Sequence, residues 1–446
     1  MGKYQAYPEY TKITSEWLTE IPAGWSTTPL KHVANINMGQ SPNSEDCNID
    51  GIGIPFLQGN AEFGTKSPTE KQFCPVPKKV AKKGDLLFSV RAPVGALNFA
   101  DKDFGIGRGL CSIRGRNSIS QSFLWWVLPS YRYQFDAIAT GSTFEAVSAE
   151  EVGNLLLALP THQEQTQIAN FLDHETAKID ALIEKQQQLI SLLQEKRQAV
   201  ISHAVTKGLN PDVPMKDSGV EWLGQVPEHW VVSRFKYCTT RVIVGIAEAA
   251  THAYDDSGTI LIRSTNIKEE GITTHNLLYL KKHFAEQNAS KYINSGDIVT
   301  VRTGYPGISA VVPDSMNKCH CFTNLISTPR NYFSAEFLTE YLNSDMGKAY
   351  FDLNAWGSAQ KNISVPILQE FPISHPDINE QRIIADFVKH ERTKFDRLLN
   401  HARKSIQLMQ ERRTALISAA VTGKIDVRNW QAPSQSSTTS TEEQAL

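Results

Sequence analysis

The sequence predicts an α+β fold: two β-rich α/β domains separated by two long antiparallel coiled-coil helices, with an approximate internal twofold repeat. Three observations predict it. The stretch SEWLTEIPAGW at Ser15–Trp25 returns as VEWLGQVPEHW at Val220–Trp230. Between Glu164–Thr206 and Glu380–Thr422, 21 of 43 positions are identical. The rest of each half alternates short apolar runs with Gly, Pro and Asn, a pattern of strands and turns.

The elements follow in order. An N-terminal arm covers 1–24. A first globular domain covers 25–160 and a second covers 229–376, with matched landmarks. Gly84-Asp85-Leu86-Leu87-Phe88-Ser89-Val90-Arg91 corresponds, with one residue of looseness, to Gly296-Asp297-Ile298-Val299-Thr300-Val301-Arg302, and Gly95 and Gly307 follow. Phe56–Asn60 corresponds more weakly to Ile262–Asn266, and Gly141-Ser142 matches Gly357-Ser358. Short helices are expected near Ser122–Leu128 and Ala335–Leu342.

Helical segments occupy 161–208 and 377–430. Neither Glu164–Val205 nor Glu380–Val421 contains Gly or Pro, and apolar residues recur at helical spacing. Ile179, Leu182/Ile183, Leu189/Ile190, Leu193 and Val200 form one stripe; Phe395, Leu398/Leu399, Ile406, Met409 and Leu416 form the other. Pro160 and Pro376 precede the helices; Gly208 and Gly423 end them. Each helix is about 60 Å long at about 1.5 Å per residue. Such a stripe needs a cover, and the other copy is the simplest one; pairing between separate chains is the alternative. A linker (209–228) and a Ser-, Thr- and Gln-rich disordered tail (431–446) complete the chain.

Composition narrows the function. No apolar run reaches the ~20 residues that span a bilayer. The start, MGKYQAYPEY, lacks a secretory apolar stretch, and Ala6 breaks the myristoylation pattern. A cytoplasmic protein without membrane contact is expected. The six cysteines have no CxxC spacing and suggest no disulfide framework; Cys319-His320-Cys321 lacks a second ligand pair, so isolated reduced thiols are expected. The net charge of −2 hides basic segments: eleven basic against four acidic residues from Lys66 to Arg116, and six against three from Lys281 to Arg330.

Catalytic motifs fail one by one. Phe104-Gly-Ile-Gly-Arg-Gly109 is a glycine-rich turn without the context of a cofactor loop, and Gly64-Thr65-Lys66-Ser67 has Thr where a phosphate loop needs Gly. Asn210-Pro211-Asp212 is not the Asn/Asp-Pro-Pro-aromatic element of an amino-methylating DNA methyltransferase. His174-Glu175 and His390-Glu391 lack a zinc helix's second histidine. They are read as capping, interhelical or partner contacts. No catalytic, cofactor-binding or metal-binding residues are assigned. A lone methyltransferase with an unrecognised catalytic domain and a scaffold without DNA affinity remain competing classes.

Binding chemistry is better represented. Arg and Lys neutralise phosphates, Arg grips guanine, and Asn and Gln read adenine edges. The candidate DNA-binding residues are Asn60, Lys66, Arg91, Arg108, Arg114 and Arg116 in the first half. In the second they are Arg263, Asn266, Arg302, Gln360, Lys361 and Asn362.

KDSGVEWLGQVPEHW at Lys216–Trp230 resembles the segment entering a target-recognition domain of type I restriction–modification specificity subunits. EQTQIANFLDHETAKID (Glu164–Asp180), EQRIIADFVKHERTKFD (Glu380–Asp396) and LISAAVTGKID (Leu416–Asp426) resemble that family's helical repeats. The resemblance runs from Ser15 to Arg428. It implies two target-recognition domains, each reading half of a bipartite, asymmetric site on double-stranded DNA. It implies helices that set the spacer and dock two methyltransferase subunits, and restriction subunits that join the complex. It further implies that this chain binds no cofactor, with S-adenosylmethionine, ATP and Mg2+ belonging to the partners.

Overall fold

The computed structural model describes residues 4–138, 146–247, 251–357 and 360–432. Gly141, Ser142, Ser358 and all but two residues of the expected tail lie outside these residues. In the first half, Ser26–Pro29 pairs antiparallel with Leu156–Leu159, and a one-turn helix, Leu30–Val33, leads into a four-stranded antiparallel sheet. The order of that sheet is Ala34–Met38, Leu110–Gly115, Leu86–Ser89, Leu97–Phe99. Every residue of Leu86–Ser89 is buried, which explains its continuous rather than alternating apolar run. A second sheet runs Phe73–Cys74, Ile54–Leu57, Phe104–Ile106, Val80–Ala81, with its middle pair parallel.

The second half repeats the plan. Val231–Arg234 pairs with Pro372–His375. One sheet runs Thr239–Val244, Leu325–Pro329, Ile298–Thr300, Ser309–Val311. The other contains the parallel pair Thr259–Ile262 and His320–Cys321. Equivalence extends to individual hydrogen bonds. Gly39 N donates to Leu110 O and Gln40 N to Ile106 O; Gly245 N donates to Asn324 O and Ile246 N to Cys321 O, all at 2.9 Å. The expected short helices are Gln121–Ser130 and Ala335–Leu342, each opened by a serine cap, Ser120 or Ser334.

The bonds also set the register, which differs by one residue from the sequence alignment at two places. Val147 N donates to Val90 O, and Ile363 N donates to Arg302 O. Arg91 therefore corresponds to Thr303, whose bridge to Asn362 matches the bridge of Arg91 to Ala146. Likewise Leu57 corresponds to Ile262, because each accepts from the strand beside it, from Gly107 N and Phe322 N. Gln58 thus matches Arg263.

The long helices are His162–Lys207 and Ile378–Val421. The chain forms two compact units, 1–185 with 405–446, and 186–404, so each unit takes half of each helix. In the first unit Ile168, Ala169, Phe171 and Leu172 share a core with Ala419, Ala420 and Val421, and Asp180 pairs with Arg413 at 2.8 Å. In the second, Ile201, Ala204 and Val205 share a core with Ile384 and Val388, and Arg197 pairs with Asp396 at 2.8 Å. The helix halves run antiparallel in both. Ile179, Ile183, Ile190, Leu193 and Val200 are buried or half-buried, whereas Leu182 and Leu189 are exposed, so the buried line is narrower than the apolar stripe.

The duplicated signature is explained by this packing. Trp25 Nε1 donates to Glu164 Oε1 at 3.3 Å, and Trp230 Nε1 donates to Glu380 Oε1 at 3.1 Å. Each tryptophan thereby ties a globular domain to the first turn of a long helix. Beside each ring the other helix ends on a positive-φ glycine, Gly423 (φ 72°) near Trp25 and Gly208 (φ 79°) near Trp230. No described helix is long and apolar enough to cross a membrane.

Candidate nucleic-acid interface

In the first unit, two tight turns meet at one edge of the sheets. A Cβ on Gly107 would lie 2.6 Å from Gln58 Oε1, and one on Gly109 would lie 2.6 Å from Gln58 O. Gly107 and Gly109 are thus required by the close approach of the Gln58 turn, and Gly105 by the Pro77 and Phe56 side chains packed against it. Arg108, between them, is exposed. Its backbone N donates to Ser41 Oγ at 3.4 Å, and Ser41 Oγ accepts from Gln58 Nε2 at 2.8 Å. Val90 N donates to Gly109 O at 3.0 Å, which brings exposed Arg91 to the same edge. Asn60 is half-buried two residues beyond Gln58. Arg91, Arg108 and Asn60 therefore gather with Gln58 and Ser41.

The other candidates in this unit lie elsewhere. Arg108 precedes and Arg116 follows the six-residue strand Leu110–Gly115, which spans about 20 Å. Arg114 is committed to the scaffold: Nε is ion-paired with buried Asp85, and Nη2 donates to Lys83 O at 2.8 Å. Arg116 Nε donates to Asn35 Oδ1 at 2.9 Å. Lys66 is exposed beside a groove lined by Phe99, Trp125 and Trp126. Lys82 pairs with Asp103 at 2.8 Å and holds that carboxyl below its ordinary range, and Lys102 pairs with Glu70. Part of the basic excess is neutralised in place.

In the second unit, Arg302, Gln360, Lys361 and Asn362 come together. Asn362 bridges both Thr303 and Trp356; its Oδ1 accepts from Arg302 Nε at 3.2 Å and its Nδ2 donates to Thr303 Oγ1 at 3.1 Å. Gly304 N donates to Lys361 O at 3.1 Å, and Lys361 Nζ pairs with Asp352 at 2.5 Å. Gln360 is exposed. Two aromatics missed by the sequence reading project from this loop pair: Tyr305, 83% exposed, and Trp356, 58% exposed. The sequence signal was Gly304-Tyr305-Pro306-Gly307, a large aromatic in a turn too tight to bury it.

Asn266 is a correction. It is 1% exposed, and its Nδ2 donates to Thr273 O (3.3 Å) and His275 O (3.0 Å) while its Oδ1 accepts from Arg263 N (3.1 Å). An amide spent on three backbone partners inside a hairpin is not presented to a base edge. Arg263 is also drawn inward, with Nη2 donating to Asn276 O at 2.5 Å and Nε buried.

The remaining motifs resolve as packing. His174 lies against Trp430, with ring centroids 5.3 Å apart, and Glu175 accepts from Tyr4 Oη at 2.9 Å. The Gly64–Ser67 turn is tied to Asn98 by bonds of 3.3 and 2.9 Å. His320 is wholly buried and stacks on Tyr292 at 4.6 Å. Among the described residues no group of three or more His, Cys, Asp or Glu side chains is arranged to hold a metal ion.

Comparison with known proteins agrees with this architecture. The family model for the type I restriction modification DNA specificity domain matches residues 22–192 and 249–408. The chain is 32% identical over 201 residues to a protein assigned as the type I restriction enzyme MjaX specificity subunit of Methanocaldococcus jannaschii. That match spans 44% of this chain and 46%, less than half, of that protein. It is 21% identical to the type I restriction enzyme EcoBI specificity subunit of Escherichia coli, over 93% of this chain and 89% of that one. Among solved structures, the HsdS subunit from Thermoanaerobacter tengcongensis shares the fold with a TM-score of 0.53 at 17% identity. That superposition covers 91% of this chain and 98% of that one. The landmarks of the repeat, the two sheets in each half and the matched family model lead to one conclusion: the chain belongs to the type I restriction–modification DNA specificity family, as a specificity subunit.

Proposed function

We propose that each unit reads one half of a bipartite, asymmetric target in double-stranded DNA and that this chain is itself non-catalytic. One observation supports the proposal: the two units repeat the main four-stranded sheet and several of its flanking hydrogen bonds yet present different side chains at its edge. Arg91, Arg108, Gln58 and Asn60 stand there in the first. Arg302, Gln360, Lys361 and Asn362 stand in the second, with Tyr305 and Trp356. Phosphate contacts by the arginines and lysines fix register, while polar and aromatic groups select bases. Lys66 and Arg116 serve as peripheral phosphate contacts. The boundaries 25–160 and 229–376 mark the two reading domains in this proposal.

The paired helices set the gap between the half-sites and dock two methyltransferase subunits, with restriction subunits joining the complex. S-adenosylmethionine, ATP and Mg2+ act in those partners. The exposed leucines of the helix His162–Lys207, Leu182, Leu189 and Leu192, support a docking role.

Methylation mapping of complexes reconstituted with the methyltransferase tests both parts. Exchanging residues 230–376 for the equivalent segment of a relative is expected to change one half-site only; a change in both defeats independent reading. Inserting four residues into both helices adds about 6 Å, under two base pairs at roughly 3.4 Å each. An unchanged gap in that complex defeats the spacer role.

A further inference from the structure

We propose that Cys47 and Cys74 form a reversible disulfide in the first unit, closed by a peroxide and reopened by a dithiol. The pair arises from strand register rather than sequence spacing. Asn48 and Phe73 face each other across an antiparallel bridge and exchange both N–H···O bonds, each at 2.9 Å. Cys47 and Cys74 are the next positions along the two segments, and their thiols lie within hydrogen-bonding reach of each other. Opposed antiparallel positions hold their Cα atoms about 4.5–5.5 Å apart with both side chains on one face. That separation falls inside the range a disulfide spans, roughly 4.4–6.8 Å.

Both partners are held in place. Cys74 is flanked on its other side by Ile54, its register partner in the second sheet, and is wholly buried. The turn after Cys47 is clamped by Asn48, whose Oδ1 accepts from Asp50 N (3.1 Å) and Ile52 N (3.0 Å) and whose Nδ2 donates to Ile52 O (2.9 Å). Cys47 is half-buried, whereas Cys74, Cys111, Cys238, Cys319 and Cys321 are buried. An oxidant therefore meets Cys47 first, with Cys74 behind it as the resolving thiol. Burial and the neighbouring Cys74 thiol raise the Cys47 pKa above its usual value, so closure quickens as pH rises.

The chemistry balances. The Cys47 thiolate attacks hydrogen peroxide, the O–O bond breaks, and hydroxide leaves and takes up a proton as water; Cys47 becomes a sulfenic acid. The Cys74 sulfur then attacks Cys47 Sγ, the S–O bond breaks, and the Cys74 proton departs with the hydroxide as a second water. Two thiols are oxidised and one peroxide is reduced. The bond would tie down the loop that carries Ser41, the residue bonded to Gln58 beside Arg108.

The test treats the full-length chain with hydrogen peroxide and maps its peptides without reduction. A Cys47–Cys74 cross-linked peptide lacking two hydrogens is expected, released by dithiothreitol and absent in C47S. In C74S, or C74A should the serine not be tolerated, Cys47 is expected to stop at a sulfenic acid that dimedone traps. Over-oxidation of Cys47 in the wild type without a cross-link overturns the proposal. So does a Cys47 that stays alkylatable after treatment.

Discussion

Arg114 is ion-paired with Asp85, and the equivalent pair in the second unit, Arg241 with Asp297, draws its arginine from the neighbouring strand. Arg114 lies opposite Asn35 in the first sheet; Arg241, at the place of Asn35, lies opposite Thr328, at the place of Arg114. Thr328 Oγ1 donates to Asp297 at 2.6 Å. Each buried carboxylate needs one cation, and either of two facing positions supplies it. R114T is expected to destabilise the first unit by about 1–2 kcal/mol, at the low end because half the guanidinium is in water. Adding N35R transplants the second unit's arrangement and should recover much of that loss in urea unfolding. A double variant no more stable than R114T alone would show that the two positions are not interchangeable.

The tryptophan–glutamate ties predict unequal costs. Trp230 is wholly buried and packs edge-on against Phe337 at 6.2 Å. W230A is therefore expected to cost about 3–5 kcal/mol. E380Q leaves a carbonyl oxygen to accept from the indole and should cost no more than about 1 kcal/mol. Thermal unfolding of the two variants compares them directly; equal losses would mean that the Glu380 charge, which also meets His229 Nε2 at 2.8 Å, fixes the helix to its domain as strongly as the burial of the ring does.

The division between legible and hidden features follows from range. The helices were legible because the core reads a periodic line: Ile179, Ile183, Phe395 and Leu399 repeat at the spacing an α-helix imposes. Trp25 and Trp230 were visible as a pair and so were Glu164 and Glu380 at the head of the duplicated helices, but nothing in the sequence joins each tryptophan to an acceptor more than a hundred residues away. Site residues fared worse. Asn60 and Asn266 look alike in sequence, yet Asn266 is consumed by a hairpin of its own making, and Arg114 by an aspartate a strand away. Whether a polar side chain faces solvent or a backbone partner is decided by cross-strand neighbours, which sequence spacing does not encode. Tyr305 was overlooked for the converse reason: aromatics are normally credited to the core.

Tyr305 and Trp356 lead to a prediction confined to one half-site. Stacking of a base on an exposed aromatic is worth about 1–3 kcal/mol. Y305A and W356A are each expected to weaken binding to duplex DNA in the methyltransferase complex by about that amount. Any relaxed sequence preference should fall only in the half-site that the proposed function assigns to the second unit. R91A, by contrast, should weaken binding across all sequences and lower the salt slope by about one. Salt titrations on matched and half-mutated duplexes distinguish the two behaviours. A uniform loss for Y305A would reassign that ring to backbone contact.

The buried histidines of the second unit set a pH dependence. Burial lowers the pKa of both His320, stacked on Tyr292 with Nε2 3.2 Å from Ala285 O, and His375, lying 4.7 Å edge-on to Phe333. In the unfolded chain each titrates near its ordinary value of 6.5, so below that pH the unfolded state binds protons that the folded state refuses. Their contribution to stability is thus full above pH 6.5 and declines as the pH falls through their lowered folded values. The urea midpoint for the second unit, followed by hydrogen exchange in Ile298–Thr300 and Leu325–Pro329, should drop between about pH 7 and 5. In H320F, which keeps a ring against Tyr292 but has no proton to gain, the drop should be shallower whatever the variant's absolute stability. An unchanged slope would mean that His320 is protonated at little cost inside the fold, contrary to its complete burial.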